Sequence, residues 1–223
     1  MTIPKIIHQT WKTNNIPLKC RKWTESWKKF NPDYEYKLWT DSDNRELIKK
    51  YYPKFLQVYD SYTHGIYRAD IARYIIIYHY GGLYVDLDFE CLKNMDQLLE
   101  DNTCFFAYEP AEHFINGKPK ICNAIFASEK HNPIFIEFLR TAYNRSIKDI
   151  TRSPVYLTGP EMITSVLNKT NKIKIYNSAY FYPICAKNDS KINNFNSKKE
   201  KLLMKFAYAQ HHWMKSWIAG NSC

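Results

Sequence analysis

The chain has 223 residues, 45% of them hydrophobic and 24% charged, which is the composition of an ordinary globular protein with room for one sizeable core. The longest apolar run, YIIIYHY at residues 74–80, is far too short to cross a bilayer. The first residues, MTIPKIIHQTW, lack the apolar segment of a signal peptide. We therefore expect a soluble chain with no transmembrane segment and no need for a second domain.

The formal net charge is +10 at pH 7, and the basic residues are spread along the chain rather than gathered in one block. Three kinds of partner fit this charge: nucleic acid, an anionic membrane surface, or acidic small molecules such as sugar nucleotides. Charge alone does not choose among them, and a lysine-rich solvated surface explains it as well. Six cysteines occur without a C-x-x-C pair, which predicts free thiols in a reducing compartment.

The N-terminal segment predicts a strand, a helix and a second strand. Residues 5–11 read as a strand after Pro4, residues 18–31 carry apolar side chains at helical spacing, and residues 34–39 alternate and are rich in aromatic side chains. A strand, helix and strand in this order are typical of the start of a nucleotide-binding α/β domain.

A second helix is predicted over residues 43–51, and the residues TDSD at 40–43 are suited to cap it. Asp41 follows a strand end and could touch a ribose, but we favour a role in the cap. Residues 54–63 are predicted to form an amphipathic linker.

A buried helix is predicted over residues 65–80, where small and apolar residues recur at three- and four-residue spacing without any proline. After Arg73 this segment is apolar nearly all round, as in a helix surrounded by core. Asp70 and Arg73 share one face, and burying either charge alone costs several kcal/mol. They either form a mutual salt bridge that fastens the helix to a neighbour or line the floor of a polar pocket. We favour the pocket.

A strand is predicted at residues 83–88, directly after the glycine pair 81–82 that ends the helix. Alternation places Asp86 and Asp88 on one face, roughly 7 Å apart by strand rise. Two such carboxylates can share one divalent cation whose open positions suit a diphosphate. A solvated strand edge is the alternative for an isolated D-x-D pair. An EF-hand calcium loop is excluded because the sixth position has no glycine.

The later elements continue the α/β pattern. Strands are predicted at 104–108, 121–127 and 206–213, and helices near 95–99 and at 133–144 and 160–167. The segment 187–201, KNDSKINNFNSKKEK, is polar throughout and is predicted to be a surface loop or a mobile segment.

Taken together, these motifs resemble the DXD signature of sugar-nucleotide transferases of the family 32 type, relatives of yeast-type mannosyltransferases and of the glucosylating clostridial toxins. The residues that carry the resemblance are RAD at 68–70, Arg73, GGLY at 81–84 and DLD at 86–88. The match is specific because charged residues take fixed places on a helix, a turn and a strand. It implies a GT-A fold, a single Rossmann-like α/β domain whose mostly parallel mixed sheet is flanked by helices.

By this resemblance, residues 1–223 form one catalytic domain. Residues up to about 100 would be the nucleotide-sugar half, ending in the D-x-D, and the remainder the acceptor half with a closing C-terminal segment. The sequence lacks the N-terminal membrane anchor of the eukaryotic relatives, which favours a cytoplasmic location, with or without peripheral contact to an anionic membrane.

The resemblance also implies residues that bind the donor. Trp11 takes the place of a tryptophan that stacks on the nucleotide base in the toxins, with core packing as an equal alternative. Tyr84 belongs to the G-G-L-Y part of the signature. Asn123 lies in an N-A step beside the donor sugar and acceptor, although a hydrogen-bonded core amide fits as well. The T-G-P turn at 158–160 shapes the acceptor side of the cleft in this interpretation.

The C-terminal H-H-W-x-x-S-W implies a third metal ligand, for which His211 is narrowly preferred to His212. Ser216 or the indole N–H of Trp217 would donate a hydrogen bond to the β-phosphate. Residues 211–217 are therefore predicted to close over the diphosphate when metal and nucleotide are bound.

The resulting expectation is a retaining transfer of mannose, glucose or galactose from a UDP- or GDP-sugar to a hydroxyl of a glycan, glycolipid or protein. Asp86 and Asp88 would hold Mn²⁺ or Mg²⁺ as a Lewis acid on the leaving diphosphate. Asp70 and Arg73 would hold ribose and sugar hydroxyls. No carboxylate stands out as a covalent nucleophile.

Two other functions stay open. A metal-dependent nuclease or phosphotransferase is suggested by the basic charge and by Asp33, Glu35 and Lys37, but these residues are too close in sequence for that chemistry, and we expect no nucleic-acid partner. The other is a basic carbohydrate- or membrane-binding module without turnover, against which the intact Asp86 and Asp88 argue.

Overall fold

A six-stranded sheet organises the part of the chain that the computed structural model describes, residues 2–114, 116–185 and 198–214. A smaller antiparallel pair of strands lies beside it. In spatial order the large sheet contains β2 (Glu35–Trp39), β1 (Ile6–Thr10), β3 (Gly82–Val85), β6 (Ile121–Ser128), β5 (Cys104–Tyr108) and β7 (Lys174–Tyr176), and the pair contains β4 (Phe89–Cys91) and β8 (Ala209–His211).

Neighbouring strands of the large sheet are parallel except for the two pairs that involve β6. β6 therefore runs against the other five strands, and the predicted mostly parallel, mixed sheet is confirmed. Because β1, β2, β3 and β5 share one direction, the loops that follow them converge at a single edge. That carboxyl edge is where open α/β sheets bind their ligands.

Helices cover both faces of this sheet. They are α1 (Leu18–Phe30), α2 (Asp41–Tyr51), α3 (Pro53–Ser61), α4 (Gly65–Tyr80), α5 (Asp96–Glu100), α6 (Ile134–Lys148), α7 (Pro154–Leu157), α8 (Pro160–Leu167) and α9 (Lys198–Phe206).

The core divides into two clusters because strand side chains alternate between the faces of the sheet. On one face, Tyr84 and Phe126 pack with residues of α4, α6 and α8. On the other face, Leu83 and Val85 pack with Trp27 of α1 and with residues of α5. The central helix α4 is buried from Asp70 to Ile77, as its all-round apolar sequence predicts.

The glycine pair after α4 is required by the turn from that helix into β3. Gly81 and Gly82 have φ values of +67° and +100°, which side chains of L-residues rarely allow. A Cβ atom on Gly82 would lie 2.6 Å from the carbonyl oxygen of Ile6. Glycine therefore lets β3 approach β1 closely at the point where the D-x-D segment begins.

Three local predictions differ from the structure in the first half of the chain. Residues 53–61 form the helix α3 rather than a linker, with Pro53 at its start. α2 is capped by Thr40 and Asp43, which exchange backbone and side-chain hydrogen bonds, so the predicted capping role of Asp41 is wrong. β3 ends at Val85, because the N–H of Phe89 donates to the carbonyl oxygen of Asp86 and the chain turns there.

In the second half, β7 has no counterpart among the predicted strands. The polar segment 187–201 overlaps α9, which begins at Lys198, while the last strand is shorter than predicted and spans only Ala209–His211. Among the described residues, no helix combines the length and the apolar character needed to span a bilayer.

Candidate active site

A cleft of about 900 Å³ lies at the carboxyl edge of the sheet. The residues that line it follow the strand order, from Asp41 after β2 and Trp11 after β1, through Asp86 after β3 and Asn123 on β6, to Glu109 after β5. The volume is near the upper end of the range for small-molecule sites, which is about 300–1,000 Å³. The cleft therefore has room for an extended ligand or for two smaller ones.

Three potential metal ligands meet in the middle of this cleft. One ligand atom from each of Asp86, Asp88 and His211 lies within 4.8 Å of the other two. The two aspartates come from the turn between β3 and β4, and the histidine is the last residue of β8. The pairing of β4 with β8 joins these distant parts of the sequence, because it sets Phe89 opposite His211.

Asp86 is held from two sides. The Tyr84 hydroxyl donates to its Oδ1 atom at 2.7 Å, and Nη1 of Arg73 lies 3.2 Å from the same oxygen. Burial raises the pKa of Asp86, against the opposing effect of the Arg73 guanidinium. The Oδ2 atom has a single contact of 3.5 Å with Arg73. Asp86 can therefore present Oδ2 to a cation while Oδ1 stays anchored.

Asp88 is also oriented by its neighbours. Its Oδ1 atom lies 3.1 Å from Nε2 of His211, and its Oδ2 atom accepts the backbone N–H of Met214 at 2.8 Å. Burial opposes the charge on this carboxylate, but the contacts with His211 and with backbone N–H groups prevail and lower its pKa. An ionised Asp88 is the form that a metal ligand requires.

The His211 ring stacks on Phe89 with centroids 4.5 Å apart, which fixes the direction of its nitrogens. His212 points elsewhere, since its Nε2 atom lies 2.9 Å from Glu90 and its ring stacks on Trp23. The geometry therefore brings His211, rather than His212, to the D-x-D residues.

This donor set fits Mn²⁺ or Mg²⁺. Two carboxylates supply the hard oxygen ligands that both ions take, and an imidazole nitrogen is a good ligand for a first-row transition ion such as Mn²⁺. Asp86, Asp88 and His211 all line the cleft, so a metal ion held by them would be within reach of a substrate oxygen bound there.

Asp70 and Arg73 combine the two roles that the sequence left open. Nη2 of Arg73 lies 3.4 Å from Oδ1 of Asp70, and its Nη1 donates to the carbonyl oxygen of Asn123 at 2.7 Å. Asp70 in turn accepts the Thr158 hydroxyl and the Asn123 amide, each at 2.8 Å. The pair is thus a buried salt bridge, and both residues also line the cleft. Burial raises the pKa of Asp70 to about 6.

Asn123 lines the cleft and donates its amide to Asp70 and to the Tyr74 hydroxyl. Tyr84 is fully buried, and its hydroxyl donates to Asp86. Tyr84 can therefore affect a ligand in the cleft only indirectly, by orienting that carboxylate. The T-G-P turn at 158–160 supports Asp70 through Thr158 and contributes Pro160 to the cleft.

Trp11 lines the cleft at the end near β1 and β2, together with Lys12, Asp41 and Arg68. Its ring is half-buried, so it is open to a ligand. Ser216 and Trp217 lie outside the described residues.

At the far end of the cleft lie Glu109, Lys120 and His113, which were not predicted from the sequence. Glu109 follows β5, and its carboxylate lies 3.1 Å from Nζ of Lys120 and 3.4 Å from Nδ1 of His113. Trp213 completes this end, with its ring 4.6 Å from that of His113. A charged residue directly after a predicted strand at the sheet edge is the sequence signal that could have indicated Glu109.

Comparison with known families identifies the D-x-D segment. Residues 17–105 match the family described as "Glycosyltransferase sugar-binding region containing DXD motif". The part of the chain that carries the D-x-D residues is therefore similar to the DXD-containing glycosyltransferases. The matched range includes Asp70, Arg73, Asp86 and Asp88, and it stops before β6 and the C-terminal elements of the cleft.

Named relatives agree with this family. The chain is 40% identical over 175 residues to inositol phosphoceramide mannosyltransferase 3 of Schizosaccharomyces pombe. The aligned region covers 77% of this chain and 46% of that protein. It is 29% identical over 222 residues to an uncharacterized glycosyltransferase of Acanthamoeba polyphaga mimivirus, covering 96% of this chain and 84% of that protein. The chain thus spans less than half of the length of the yeast relative.

The fold is also that of glycosyltransferases with known structures. The PaToxG glycosyltransferase superimposes with a TM-score of 0.58 at 20% sequence identity, covering 75% of this chain and 70% of that chain. The predicted GT-A fold is confirmed.

Proposed function

We propose that this protein is a metal-dependent glycosyltransferase that moves a hexose from a nucleoside diphosphate sugar to an acceptor hydroxyl. The observation that carries the proposal is the group of Asp86, Asp88 and His211 at the middle of the cleft, with Asp70 and Arg73 beside it. Transfer breaks the bond between the anomeric carbon and the diphosphate, so negative charge builds on the leaving group. Mn²⁺ or Mg²⁺ held by the three ligands would supply the Lewis acid for that charge.

The chain's own residues bind and orient the donor in this mechanism. Tyr84 and Arg73 hold Oδ1 of Asp86, which keeps that carboxylate directed at the cleft. Asp70 and Arg73 hold hydroxyl groups of the ribose and the sugar, and Trp11 stacks on the base at the β1 end. Asn123 lies between the sugar and the acceptor. A UDP- or GDP-sugar fits this arrangement.

We further propose mannose as the first sugar to test and a glycolipid as the first acceptor, because the yeast relative is named an inositol phosphoceramide mannosyltransferase. Retention of the anomeric configuration stays a prediction from the family resemblance. It is tested by the configuration of the product, which NMR reads from the one-bond C–H coupling constant at the anomeric carbon.

The nuclease alternative has little support from the geometry. Asp33 precedes β2, and Glu35 is the first residue of that strand. Both therefore lie at the amino edge of the sheet, opposite the cleft. Glu35 pairs with Lys37 at 3.1 Å. Measured hexose transfer by the wild type would exclude the alternative of a binding module without catalysis.

A thermal-shift screen tests the proposal. Nucleoside diphosphates bound only by the folded state should raise the melting temperature, and only when Mn²⁺ or Mg²⁺ is present. Asp86→Asn and Asp88→Asn should each abolish this shift and the transfer of hexose. Asp33→Asn is the matched control, since its exposed carboxylate lies at the other edge of the sheet. Unchanged turnover in both D-x-D variants would overturn the metal-assisted mechanism.

A further inference from the structure

The cleft extends past the metal ligands to the end of β5. β5 and β3 point in the same direction and are separated by β6, so Glu109 after β5 and Asp86 after β3 emerge at the same edge. Two strand spacings correspond to about 10 Å. Trp11 lies on the other side of Asp86, after the neighbouring strand β1. The Glu109 end and Trp11 therefore lie on opposite sides of Asp86 along the sheet edge.

The charged groups at this end form a compact set. Glu109 is 6% exposed, yet it lines the cleft, and Lys120 and His113 are its partners at 3.1 and 3.4 Å. The N–H of Glu109 donates to the carbonyl oxygen of Lys120 at 2.8 Å, so the pair is held at the junction of β5 and β6. A carboxylate beside an ammonium group is neutral overall, which does not suit an anion. It offers an acceptor and a donor side by side, as neighbouring hydroxyl groups require.

An aromatic ring completes the set. Trp213 lines the cleft, donates its indole N–H to the carbonyl oxygen of Ile184 at 2.9 Å, and contacts the rings of both His113 and His211. The ring of Trp213 thus bridges the Glu109 end to the metal ligands. An apolar ring surface next to paired polar groups fits a ligand with a C–H face and hydroxyl edges.

We propose that Glu109, Lys120 and Trp213 bind the acceptor, and that the acceptor presents a ring polyol with neighbouring hydroxyl groups. This inference rests on the proposed function, since it names the acceptor class of the same cleft. Glu109 accepts from one hydroxyl, the Lys120 ammonium donates to the next, and Trp213 packs on the carbon face of the ring. A sugar ring and a cyclitol ring share this chemistry.

Saturation-transfer NMR tests the subsite without any need for turnover. The probes are methyl α-mannopyranoside for a sugar ring and myo-inositol for a cyclitol, each added to the full chain with diamagnetic Mg²⁺ and either GDP or UDP. We expect one or both probes to bind the wild type. Glu109→Gln and Lys120→Met should each weaken that binding about tenfold or more, because each removes a charged hydrogen-bonding partner. The probe that shows the loss identifies the ring type.

Glu137→Gln is the matched control, since Glu137 pairs with Arg140 at 2.9 Å on the exposed face of α6. It should bind the probes as the wild type does. The melting temperature of each variant, with and without nucleotide and Mn²⁺, separates folding and donor binding from acceptor binding. Lys120→Met keeps the test decisive if Glu109→Gln does not fold.

Absence of probe binding to the wild type, or equal binding by the wild type and both variants, would overturn the subsite. Failure of the proposed function looks different. In that case the wild type shows no metal-dependent stabilisation by a nucleoside diphosphate, whichever result the polyol probes give.

Discussion

Nη1 of Arg73 lies 3.2 Å from Oδ1 of Asp86, while Nη2 of the same guanidinium lies 3.4 Å from Oδ1 of Asp70. One buried cation therefore pairs with two carboxylates, one from its own helix and one from the turn after β3. Nη1 also donates to the carbonyl oxygen of Asn123 on β6. Arg73 thus ties α4, the D-x-D turn and β6 together at the floor of the cleft, so its stabilising and ligand-binding roles are physically linked.

Arg73→Ala should lower the free energy of unfolding by about 3–5 kcal/mol, because it leaves the buried Asp70 without its charged partner. Arg45→Ala is the control, since Arg45 pairs with Asp60 at 2.7 Å but both side chains are largely exposed. Exposed pairs are worth about 0–1 kcal/mol. Urea unfolding of the two variants measures both values. Equal losses would contradict the central position assigned to Arg73.

A second prediction concerns His8, which is fully buried in β1. Trp39 donates its indole N–H to Nδ1 of His8, whose Nε2 lies 3.0 Å from the carbonyl oxygen of Gly81. Burial lowers the pKa of His8 to about 3. The unfolded chain therefore binds this proton more readily, so the contribution of a neutral His8 is complete above pH 6.5 and is lost as the pH falls towards 3.

Between pH 6.5 and 4.5 the wild type should lose more stability than His8→Gln, with a difference that grows by about 1.4 kcal/mol per pH unit. His64→Gln serves as the control, because His64 is exposed. Urea unfolding at several pH values gives the comparison. Parallel pH profiles for the wild type and His8→Gln would show that His8 is not buried in its neutral form.

Local sequence signals account for much of the fold. The bounds of α4 follow from its apolar pattern and the glycine pair, because both act within a few residues of the helix. The end of β3 does not follow, since the apolar alternation continues to Asp88 while the chain turns at Asp86. β7 has three residues, too few for an alternating pattern to stand out.

The residues of the site also fall into a group that the local sequence predicts and a group that it does not. Asp70, Arg73, Asp86 and Asp88 could be predicted together because one helix, turn and strand, consecutive in sequence, carry them. Their partners come from distant elements. Only the fold, through pairings such as β4 with β8 and β5 with β6, brings residues of the second half of the chain to the D-x-D turn.

Gly82→Ala should lower the free energy of unfolding by roughly 2–5 kcal/mol, because the new Cβ atom would clash with the carbonyl oxygen of Ile6 and the φ of +100° is strained for alanine. Gly65→Ala is a matched control at the start of α4, where nothing lies within 4 Å of the added atom. That change should be neutral or stabilise the fold by about 0.4–1 kcal/mol. Chemical denaturation measures both variants, and a tolerated Gly82→Ala would contradict the tight packing of β3 on β1.

The last prediction separates two adjacent histidines that the sequence alone could barely rank. The ring of His211 reaches Asp88, and the ring of His212 reaches Glu90 and Trp23. His211→Ala should therefore weaken Mn²⁺ binding in the presence of nucleoside diphosphate by at least about tenfold, because it removes one of the three proposed protein ligands. His212→Ala removes only a partly exposed ion pair and a ring contact, so Mn²⁺ affinity should stay within about twofold while stability falls by about 1 kcal/mol. Electron paramagnetic resonance of free Mn²⁺ measures the affinities, and urea unfolding measures the stabilities. The reverse pattern, with metal binding lost in His212→Ala and kept in His211→Ala, would remove His211 from the metal site.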